Sequence, residues 1–218
     1  MQENTPISRR TLLQGAAVAG AAALVIGEVR EESAAAAGIP TSVAEGADAK
    51  AQYGFLFRID HCVGCEKCVA ACRKYNRLSD ETPDRRRVTH FANKRKEDVT
   101  VSMSCMHCVE PNCERVCPAG AISKGDCGIV SVDKEKCIGC KYCYEACPYD
   151  VPRYTSEGMD KCDCCLTAGL PAGSEPYCVQ ACIFDALNWG KINEMKEKFP
   201  DAIPIGEPGN PSVLVVNR

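Results

Sequence analysis

The sequence has few large aromatic side chains, no surplus of basic charge and no motif typical of a catalytic centre. Aromatic residues make up 6% of its 218 residues, with five Phe and one Trp, so little aromatic packing is available to a core. The formal net charge of −3 argues against a general nucleic-acid binder, which needs a basic face to neutralise phosphates. The sequence offers no candidate nucleophile, phosphate-binding loop or substrate-pocket signature, which argues against an enzyme that acts alone.

The sequence also lacks a long apolar run, and its short one lies near the start of the chain. This run, Leu12–Ile26, is shorter than the ~20 residues that a membrane-spanning helix needs. Together with the preceding Arg9-Arg10 pair it resembles a twin-arginine export signal. We therefore predict a twin-arginine signal segment at residues 1–27, a linker at residues 28–52, and a location in the periplasm or on the outer face of the cytoplasmic membrane. Whether the signal is cleaved stays open.

Cysteine, in contrast, is abundant, with eighteen residues. Sixteen of them form four motifs: Cys62, Cys65, Cys68 and Cys72; Cys105, Cys108, Cys113 and Cys117; Cys137, Cys140, Cys143 and Cys147; and Cys162, Cys165, Cys178 and Cys182. Motifs one and three have gaps of two, two and three residues, whereas the middle gap is four in motif two and twelve in motif four. Short gaps let a loop wrap a cubane, and the last cysteine, about one helical turn further on, serves a second cluster. The spacing predicts four [4Fe–4S] clusters whose iron is held by these sixteen cysteines.

Zinc sites and disulfides are the alternatives to iron–sulfur clusters. Structural zinc sites usually consist of two cysteine pairs separated by a longer loop, and motif four looks the most zinc-like when taken alone. A disulfide scaffold is disfavoured because cysteines this crowded cannot all reach bridging geometry with partners elsewhere. The two-residue gap favours Cys165 over the adjacent Cys164 as the ligand, and Cys127 is left as a free or buried thiol.

Four thiolate-held clusters would make the interior anionic, at a formal charge of about −2 for each site. We expect many backbone N–H groups to point at sulfur in compensation. For the basic stretches Arg85–Arg87 and Lys94–Lys96 the sequence favours a solvated face, with docking onto an acidic partner as the second interpretation. His61 and His107, within or beside the motifs, are more typical of structural hydrogen bonding than of proton transfer.

Local patterns around the motifs predict an α+β fold with short elements. We expect strands at Tyr53–Ile59, Val99–Val101, Ile129–Asp133 and Val213–Val216, a turn at Lys124–Gly128 and a surface helix at Lys191–Phe199. Residues 191–218 form a tail with little core of its own, which we expect to dock on a partner subunit.

The order of the four motifs resembles the four-cluster iron–sulfur subunits of DMSO-reductase-type molybdoenzymes and of the related nitrite- and tetrathionate-reductase systems. The matching segments are Cys62-Val-Gly-Cys65-Glu-Lys-Cys68, Cys105-Met-His-Cys108-Val-Glu-Pro-Asn-Cys113, Cys137-Ile-Gly-Cys140-Lys-Tyr-Cys143 with Cys147-Pro148-Tyr149, and Lys161-Cys162-Asp163. The resemblance covers roughly residues 53–190. One departure is Ile183, which follows Cys182 where the family usually has Pro, and which could loosen the surroundings of that cluster or shift its potential.

The resemblance implies crossed ligation and two pseudo-symmetric, loop-rich lobes like bacterial dicluster ferredoxins, one inserted in the other. The outer lobe would comprise residues 53–98 and 150–190, and the inner lobe residues 99–149. The implied ligand sets are Cys62, Cys65, Cys68 with Cys182; Cys162, Cys165, Cys178 with Cys72; Cys105, Cys108, Cys113 with Cys147; and Cys137, Cys140, Cys143 with Cys117.

The resemblance further implies an electron-transfer subunit that is not catalytic alone. It would relay electrons between a quinol-oxidising membrane anchor subunit and a molybdopterin-containing catalytic subunit of an exported oxidoreductase complex. A freestanding polyferredoxin and, less favoured, a cysteine-rich zinc-binding module are the rival interpretations. The substrate of the complex, the direction of electron flow and the cluster potentials do not follow from the sequence.

Overall fold

A computed structural model of the protein describes residues 42–92 and 98–216. The predicted signal segment, most of the predicted linker and the basic stretch at residues 94–96 lie outside the described residues. The described strands are β1 Tyr53–Arg58, β2 Arg87–Ala92, β3 Asp98–Met103, β4 Ile122–Lys124, β5 Val130–Val132, β6 Arg153–Thr155, β7 Gly158–Asp160, β8 Leu187–Lys191, β9 Ile203–Pro204 and β10 Val213–Val216. The described α-helices are α1 Lys67–Tyr75, α2 Asn112–Arg115, α3 Tyr142–Glu145, α4 Tyr177–Gln180 and α5 Ile192–Lys198.

The largest sheet has the strand order β8-β1-β10-β9, with β1 antiparallel to β8 and parallel to β10. The predicted strand at residues 53–59 is therefore confirmed, and it lies inside the sheet rather than at its edge. Its side chains are apolar on both faces, as an interior strand requires. Phe55 and Phe57 face the main core, whereas Leu56 packs on the opposite side with Leu214.

Three antiparallel hairpins, β2–β3, β4–β5 and β6–β7, make up the other sheets of the described residues. The predicted strands before motif two and before motif three are confirmed as β3 and β5. Between β4 and β5 the backbone turns through Cys127, which is fully buried and has a positive φ of 56°. The N–H of Cys127 donates to the carbonyl of Ala49 at 2.7 Å, so the end of the predicted linker packs on the fold.

The first four helices repeat one local pattern. In each, the third cysteine of a motif is the second helical residue, and the fourth cysteine follows four residues later, as with Cys68 and Cys72 in α1. Helices α1 and α4 pack together, and Tyr75 stacks on Tyr177 with ring centroids 3.9 Å apart. Helices α2 and α3 form a second packed pair. The cysteines thus lie at the contacts between short helices.

The described part of the tail, residues 191–216, shares its core with strand β1 rather than having one of its own. The predicted helix and terminal strand are confirmed as α5 and β10, and Met195 of α5 packs with Leu214 and Val216 of β10 against Leu56. The physical reason is the pairing of β10 with β1, which buries the tail on the protein's own sheet. Docking of the tail on a partner subunit stays a prediction.

The segment before β1 also contacts the fold within the predicted linker. The N–H of Ala44 donates to the carbonyl of Ala172 at 2.9 Å, and Val43 forms a parallel bridge with the same residue. The last eleven residues of the linker expected at residues 28–52 are described, and contacts such as these join them to the fold; the bounds of the linker stay a prediction. Within the described residues, no helix has the length and apolarity needed to cross a bilayer.

Candidate metal centre

The structure brings the sixteen motif cysteines together in four sets, which we number as sites 1 to 4. Site 1 combines three thiols of motif one with the last thiol of motif four in the lining of one cavity: Cys62, Cys65, Cys68 and Cys182. Burial raises the pKa of the Cys62 thiol, and the neighbouring Cys68, Cys182 and Cys65 add to this rise through charge repulsion. Cys65 is exposed, so site 1 reaches the surface.

Site 2 combines three thiols of motif four with the last thiol of motif one, and it lies deeper in the protein than site 1. It comprises Cys72, Cys162, Cys165 and Cys178. Burial raises the pKa of Cys72, and the nearby charges of the other three thiols raise it further. The side-chain amide of Asn76 donates to the Cys165 Sγ at 3.6 Å and the Cys72 Sγ at 3.8 Å, so one donor contacts thiols of two motifs.

Site 3 combines three thiols of motif two with the last thiol of motif three: Cys105, Cys108, Cys113 and Cys147. Burial raises the pKa of Cys108 to about 11, with additions from the charges of Cys105 and Cys147. The pKa of Cys113 is raised to about 12, with burial again the largest cause. Thiols this close and this desolvated resist ionisation without a cation, and coordinated iron would supply one.

Site 4 comprises the remaining four motif thiols, which line a second cavity: Cys117, Cys137, Cys140 and Cys143. Hydrogen-bond donors point at its sulfurs, as expected for an anionic site. The N–H of Ala121 lies 3.2 Å from the Cys117 Sγ and that of Met159 lies 3.4 Å from the Cys137 Sγ. The Tyr154 hydroxyl lies 3.1 Å from the Cys143 Sγ.

The loops of motifs one and three have the same backbone shape. Gly64 and Glu66 have φ values of 71° and 57°, and the equivalent Gly139 and Lys141 both have 67°. Two left-handed residues in such a short span curl the loop around the space that the thiols surround, and glycine adopts this φ without steric cost. The grouping into four sets of four thiols, with these loops around two of them, fits cubane clusters, whose ligands are four cysteine thiolates. Iron binding by the individual residues stays a prediction.

Comparison with known proteins identifies the family. A 4Fe-4S dicluster domain matches residues 96–192, and a twin-arginine translocation pathway signal matches residues 6–25. The B subunit of the anaerobic dimethyl sulfoxide reductase of Escherichia coli (strain K12) is 40% identical over 162 residues, which are 69% of this protein and 78% of the relative. The thiosulfate reductase electron transfer subunit of Salmonella typhi is 38% identical over 157 residues, 66% and 78% of the two proteins. The B subunit of the polysulfide reductase of Wolinella succinogenes is 37% identical over 156 residues, which are 68% of this protein and 81% of the relative.

The protein belongs to this family of iron–sulfur reductase subunits. It is an electron-transfer subunit of an oxidoreductase and is not catalytic on its own, as expected from the motifs. The match to the signal supports the predicted export by the twin-arginine route to the periplasmic side.

In this iron–sulfur subunit the prediction that Arg85–Arg87 form a solvated face is wrong for two of the three arginines. The Arg85 side chain is only 7% exposed, with its guanidinium 2.8 Å from both carboxylate oxygens of Asp160 and 3.4 Å from Asp163. Arg86 is only 2% exposed. Arg87 is partly exposed and pairs with Asp150 at 3.1 Å. The physical reason is that the buried carboxylates of Asp160 and Asp163 lie within reach of Arg85, and motif thiols lie close to Arg86.

Arg86 is the most buried of these side chains and lies between sites 1 and 2. Its guanidinium donates to the hydroxyls of Ser102 at 3.1 Å and Ser104 at 2.8 Å, and it lies over the ring of Phe55 at 4.7 Å. Ser102 is in turn 3.3 Å from the Cys68 Sγ of site 1. Burial opposes the charge of Arg86, but nearby thiols, beginning with Cys178 of site 2, outweigh it and raise the pKa.

Lys161 is a second buried cation, 2% exposed, and it lies between sites 2 and 3. Its ammonium group donates to the carbonyls of Val130 and of Cys162, the latter at 3.0 Å, and lies 3.7 Å from the Cys105 Sγ of site 3. Burial opposes its charge, and the thiols of Cys105, Cys113 and Cys162 outweigh that effect, so the pKa is raised. Neither buried cation was among the residues predicted to form the site, although Lys161 adjoins motif four.

His107 and Cys164 connect motif two to motif four. The N–H of Val130 donates to the Nδ1 of His107 at 3.0 Å, and the Nε2 of His107 lies 3.2 Å from the Cys164 Sγ. The side chain is buried, and burial lowers its pKa, so His107 has the structural hydrogen-bonding role that its position favours. The Cys164 sulfur points toward His107 and also lies within 4.8 Å of the Cys162 sulfur, whereas Cys165 lies beside Cys72. The assignment of Cys165 as the ligand stays a prediction.

The substitution of Ile183 for proline leaves the turn after Cys182 unchanged. The N–H of Asp185 donates to the carbonyl of Cys182 at 3.2 Å, as that of Gly120 does to Cys117 at 3.2 Å after a proline. Asp185 and Gly120 also share a positive φ, of 54° and 57°. The Ile183 side chain is exposed, and the expected loosening of the surroundings is absent from the turn itself.

Proposed function

We propose that the iron–sulfur subunit relays electrons through four [4Fe–4S] clusters, one at each of sites 1 to 4. It would do so between a molybdopterin-containing catalytic subunit and a quinol-oxidising membrane anchor subunit. The observation that carries this proposal is the grouping of sixteen thiols from four motifs into four sets of four. A zinc-binding module would need no such crossing of motifs, because structural zinc sites close within two cysteine pairs.

The contacts between sites support a linear order from site 1 to site 4. Helix α1 supplies Cys68 to site 1 and carries Cys72, which belongs to site 2. Lys161 lies 3.7 Å from the Cys105 Sγ of site 3 and donates to the carbonyl of Cys162, a residue of site 2. The segment around α2 supplies Cys113 to site 3 and Cys117 to site 4. Each site therefore has a close neighbour, which is what sequential electron transfer through one subunit needs.

Exposure at the two ends of this order supports electron exchange with other proteins. Cys65 of site 1 and Cys140 of site 4 are the two motif cysteines that the structure leaves exposed among the described residues. Each is close in sequence to exposed apolar side chains, such as Val63 beside the first and Ile138 beside the second. Exposed apolar groups around a redox centre are typical of a surface that another protein covers. This pattern favours a subunit of a complex over a freestanding polyferredoxin.

The pairing of the short helices supports the proposed arrangement in two lobes. Helices α1 and α4, with strands β1 and β8, would form the outer lobe around sites 1 and 2. Helices α2 and α3, with the β4–β5 hairpin, would form the inner lobe around sites 3 and 4. In each half, each of the two helices would lead from the loop of its own motif to a last cysteine that lies in the other motif's site. The two halves would then have the pseudo-symmetry that crossed ligation requires.

Metal analysis of the full-length protein, purified without oxygen from cells that assemble clusters, tests the cluster count. We expect about sixteen iron and about sixteen acid-labile sulfide per molecule, because each cubane contains four of each. Four separate reductive transitions should appear in a potentiometric titration monitored by electron paramagnetic resonance. About eight irons per molecule, or stoichiometric zinc, would contradict the proposal.

Isolation of the protein from its native membranes tests the partners. The proposal predicts a stable complex with a large molybdopterin-containing subunit and an integral membrane subunit. A monodisperse monomer that retains all of its clusters would instead support the freestanding polyferredoxin.

A further inference from the structure

Two buried cations in this subunit have no carboxylate hydrogen-bonded to them among the described residues. Arg86 donates to the hydroxyls of Ser102 and Ser104 and to the Ser102 carbonyl, and all of these acceptors are neutral. Lys161 donates to the carbonyls of Val130 and Cys162. The two acids nearest to Lys161 in sequence, Asp160 and Asp163, are both bound instead to Arg85, and Asp163 also accepts a hydrogen bond from Thr167. A buried cation normally needs a negative partner.

The groups that can balance these charges are the cysteine thiolates. Arg86 lies among thiols of sites 1 and 2, and Cys68 is linked to it through the Ser102 hydroxyl. Lys161 lies 3.7 Å from the Cys105 Sγ of site 3 and is adjacent in sequence to Cys162 of site 2. Each cation thus faces two consecutive sites rather than one. Site 4 is lined by Lys141, which is exposed, and by no buried lysine or arginine of the described residues.

Resting on the proposed function, we propose that Arg86 and Lys161 are electrostatic bridges between consecutive clusters, Arg86 between sites 1 and 2 and Lys161 between sites 2 and 3. A fixed positive charge stabilises the added electron on either of the two centres that it faces. It therefore raises both reduction potentials while favouring neither centre. When one electron moves from one centre to the next, the cation near both centres stabilises it in either position. The states before and after the transfer therefore stay close in energy.

The proposal makes a site-specific prediction because water screens exposed charges and not buried ones. Arg86→Gln should lower the potentials of sites 1 and 2, and Lys161→Met should lower those of sites 2 and 3. For each affected site we expect the ratio of reduced to oxidised cluster at a fixed potential to fall by about tenfold, a shift of about 59 mV for one electron. Site 4 should keep its potential in both variants and serves as the internal reference.

The experiment is a potentiometric titration of the full-length protein, with all four clusters loaded, monitored by electron paramagnetic resonance. Lys67→Gln is the matched control, because Lys67 is a cation in the lining of site 1 that is exposed, so water screens its charge. It should leave all four potentials in place. Arg86→Lys retains the charge in a smaller side chain, so it should keep the potentials of sites 1 and 2 close to the original values. If the shifts in Arg86→Gln came only from lost packing, Arg86→Lys would not restore the potentials.

The outcomes separate this inference from the proposed function. Paired shifts at sites 1 and 2 and at sites 2 and 3, with iron content unchanged, support it. Unchanged potentials in both fully loaded variants, or equal shifts at all four sites, overturn it. If one variant loses iron, the other decides, because Arg86 and Lys161 lie at different junctions. A starting protein that holds fewer than four clusters would contradict the proposed function itself.

Discussion

Gly209, in the C-terminal tail, lies against Cys108 of site 3. A Cβ atom at Gly209 would be 3.4 Å from the Cys108 Sγ and 3.2 Å from the carbonyl oxygen of Glu110. The carbonyls of Gly209 and Asn210 accept hydrogen bonds from the N–H groups of Glu110 and Val109 at 3.1 and 2.9 Å. The Tyr149 hydroxyl lies 2.9 Å from the carbonyl oxygens of both Gly206 and Pro208. This part of the tail therefore covers site 3.

Gly209→Ala should weaken this cover. The φ of Gly209 is +89°, where a non-glycine residue costs about 1–3 kcal/mol. We expect a lower apparent melting temperature for the loaded protein and faster loss of one cluster to a chelator. Gly206→Ala is the control, because a Cβ there meets nothing within 4 Å. Equal effects of the two substitutions would show that the contact over Cys108 does not matter.

Tyr154→Phe should lower the potential of the site 4 cluster. The substitution removes the hydroxyl 3.1 Å from the Cys143 Sγ, and a donor to sulfur stabilises the reduced, more negative cluster. The loss is about 1 kcal/mol, the usual net contribution of one hydrogen bond, which is less than a tenfold change in the redox equilibrium. The same titration measures it, with the exposed Tyr142→Phe as control. A change at sites 1 to 3, or a rise at site 4, would contradict the assignment.

Arg85→Gln should destabilise the protein strongly. Asp160 and Asp163 are both buried, and removal of their shared cation leaves Asp160 with Lys134 at 3.3 Å as its remaining ion-pair partner and takes away the guanidinium beside Asp163, at a cost of about 3–5 kcal/mol. Arg115→Gln removes an ion pair with Glu110 that is exposed on both sides, and it should change stability by less than about 1 kcal/mol. Apparent melting temperatures at one scan rate compare the two variants. Similar small effects would mean that the Arg85 network adds little stability.

Removal of iron under reducing conditions should unfold the protein. The core beside site 4 has few buried members, among them Ile122, Val130 and Met159, and cysteines complete it. The main core also includes motif cysteines, among them Cys68 and Cys178. Both cores therefore depend on thiols that lose their metal, and metal binding must contribute to folding. Circular dichroism of the iron-free protein, kept anaerobic with a thiol reductant, should lose its native signal. A cooperative thermal transition in that sample would contradict this expectation.

The local elements and the family could be predicted because their signals are short-range. The cysteine gaps specify loop and helix positions within a few residues, and apolar runs specify β1 and β10. The burial of Arg86 could not be predicted, because its partners lie in β3 and in motifs one and four, far along the sequence. The negative charge expected of four clusters could have indicated buried cations, because such charge needs cations as well as backbone N–H groups to balance it.

The position of the C-terminal tail could not be predicted for a related reason. Its strand Val213–Val216 has a clear apolar pattern, but nothing local indicates that it pairs in parallel with β1. Parallel pairing joins segments that are distant in sequence, so it depends on the assembled fold. The polar loop before the strand gave no sign that it covers Cys108, because that contact is made by backbone groups and by a glycine.

Cysteine-to-serine variants of the loaded full-length protein distinguish crossed ligation from the binding of each cluster by a single motif. Cys72 follows three cysteines of motif one but lies with Cys165 in site 2. In electron paramagnetic resonance spectra recorded during reductive titration, Cys72→Ser should perturb the same cluster as Cys165→Ser and leave the cluster perturbed by Cys65→Ser intact. If Cys72→Ser and Cys65→Ser instead perturb one and the same cluster, each motif holds its own cluster and the account is wrong.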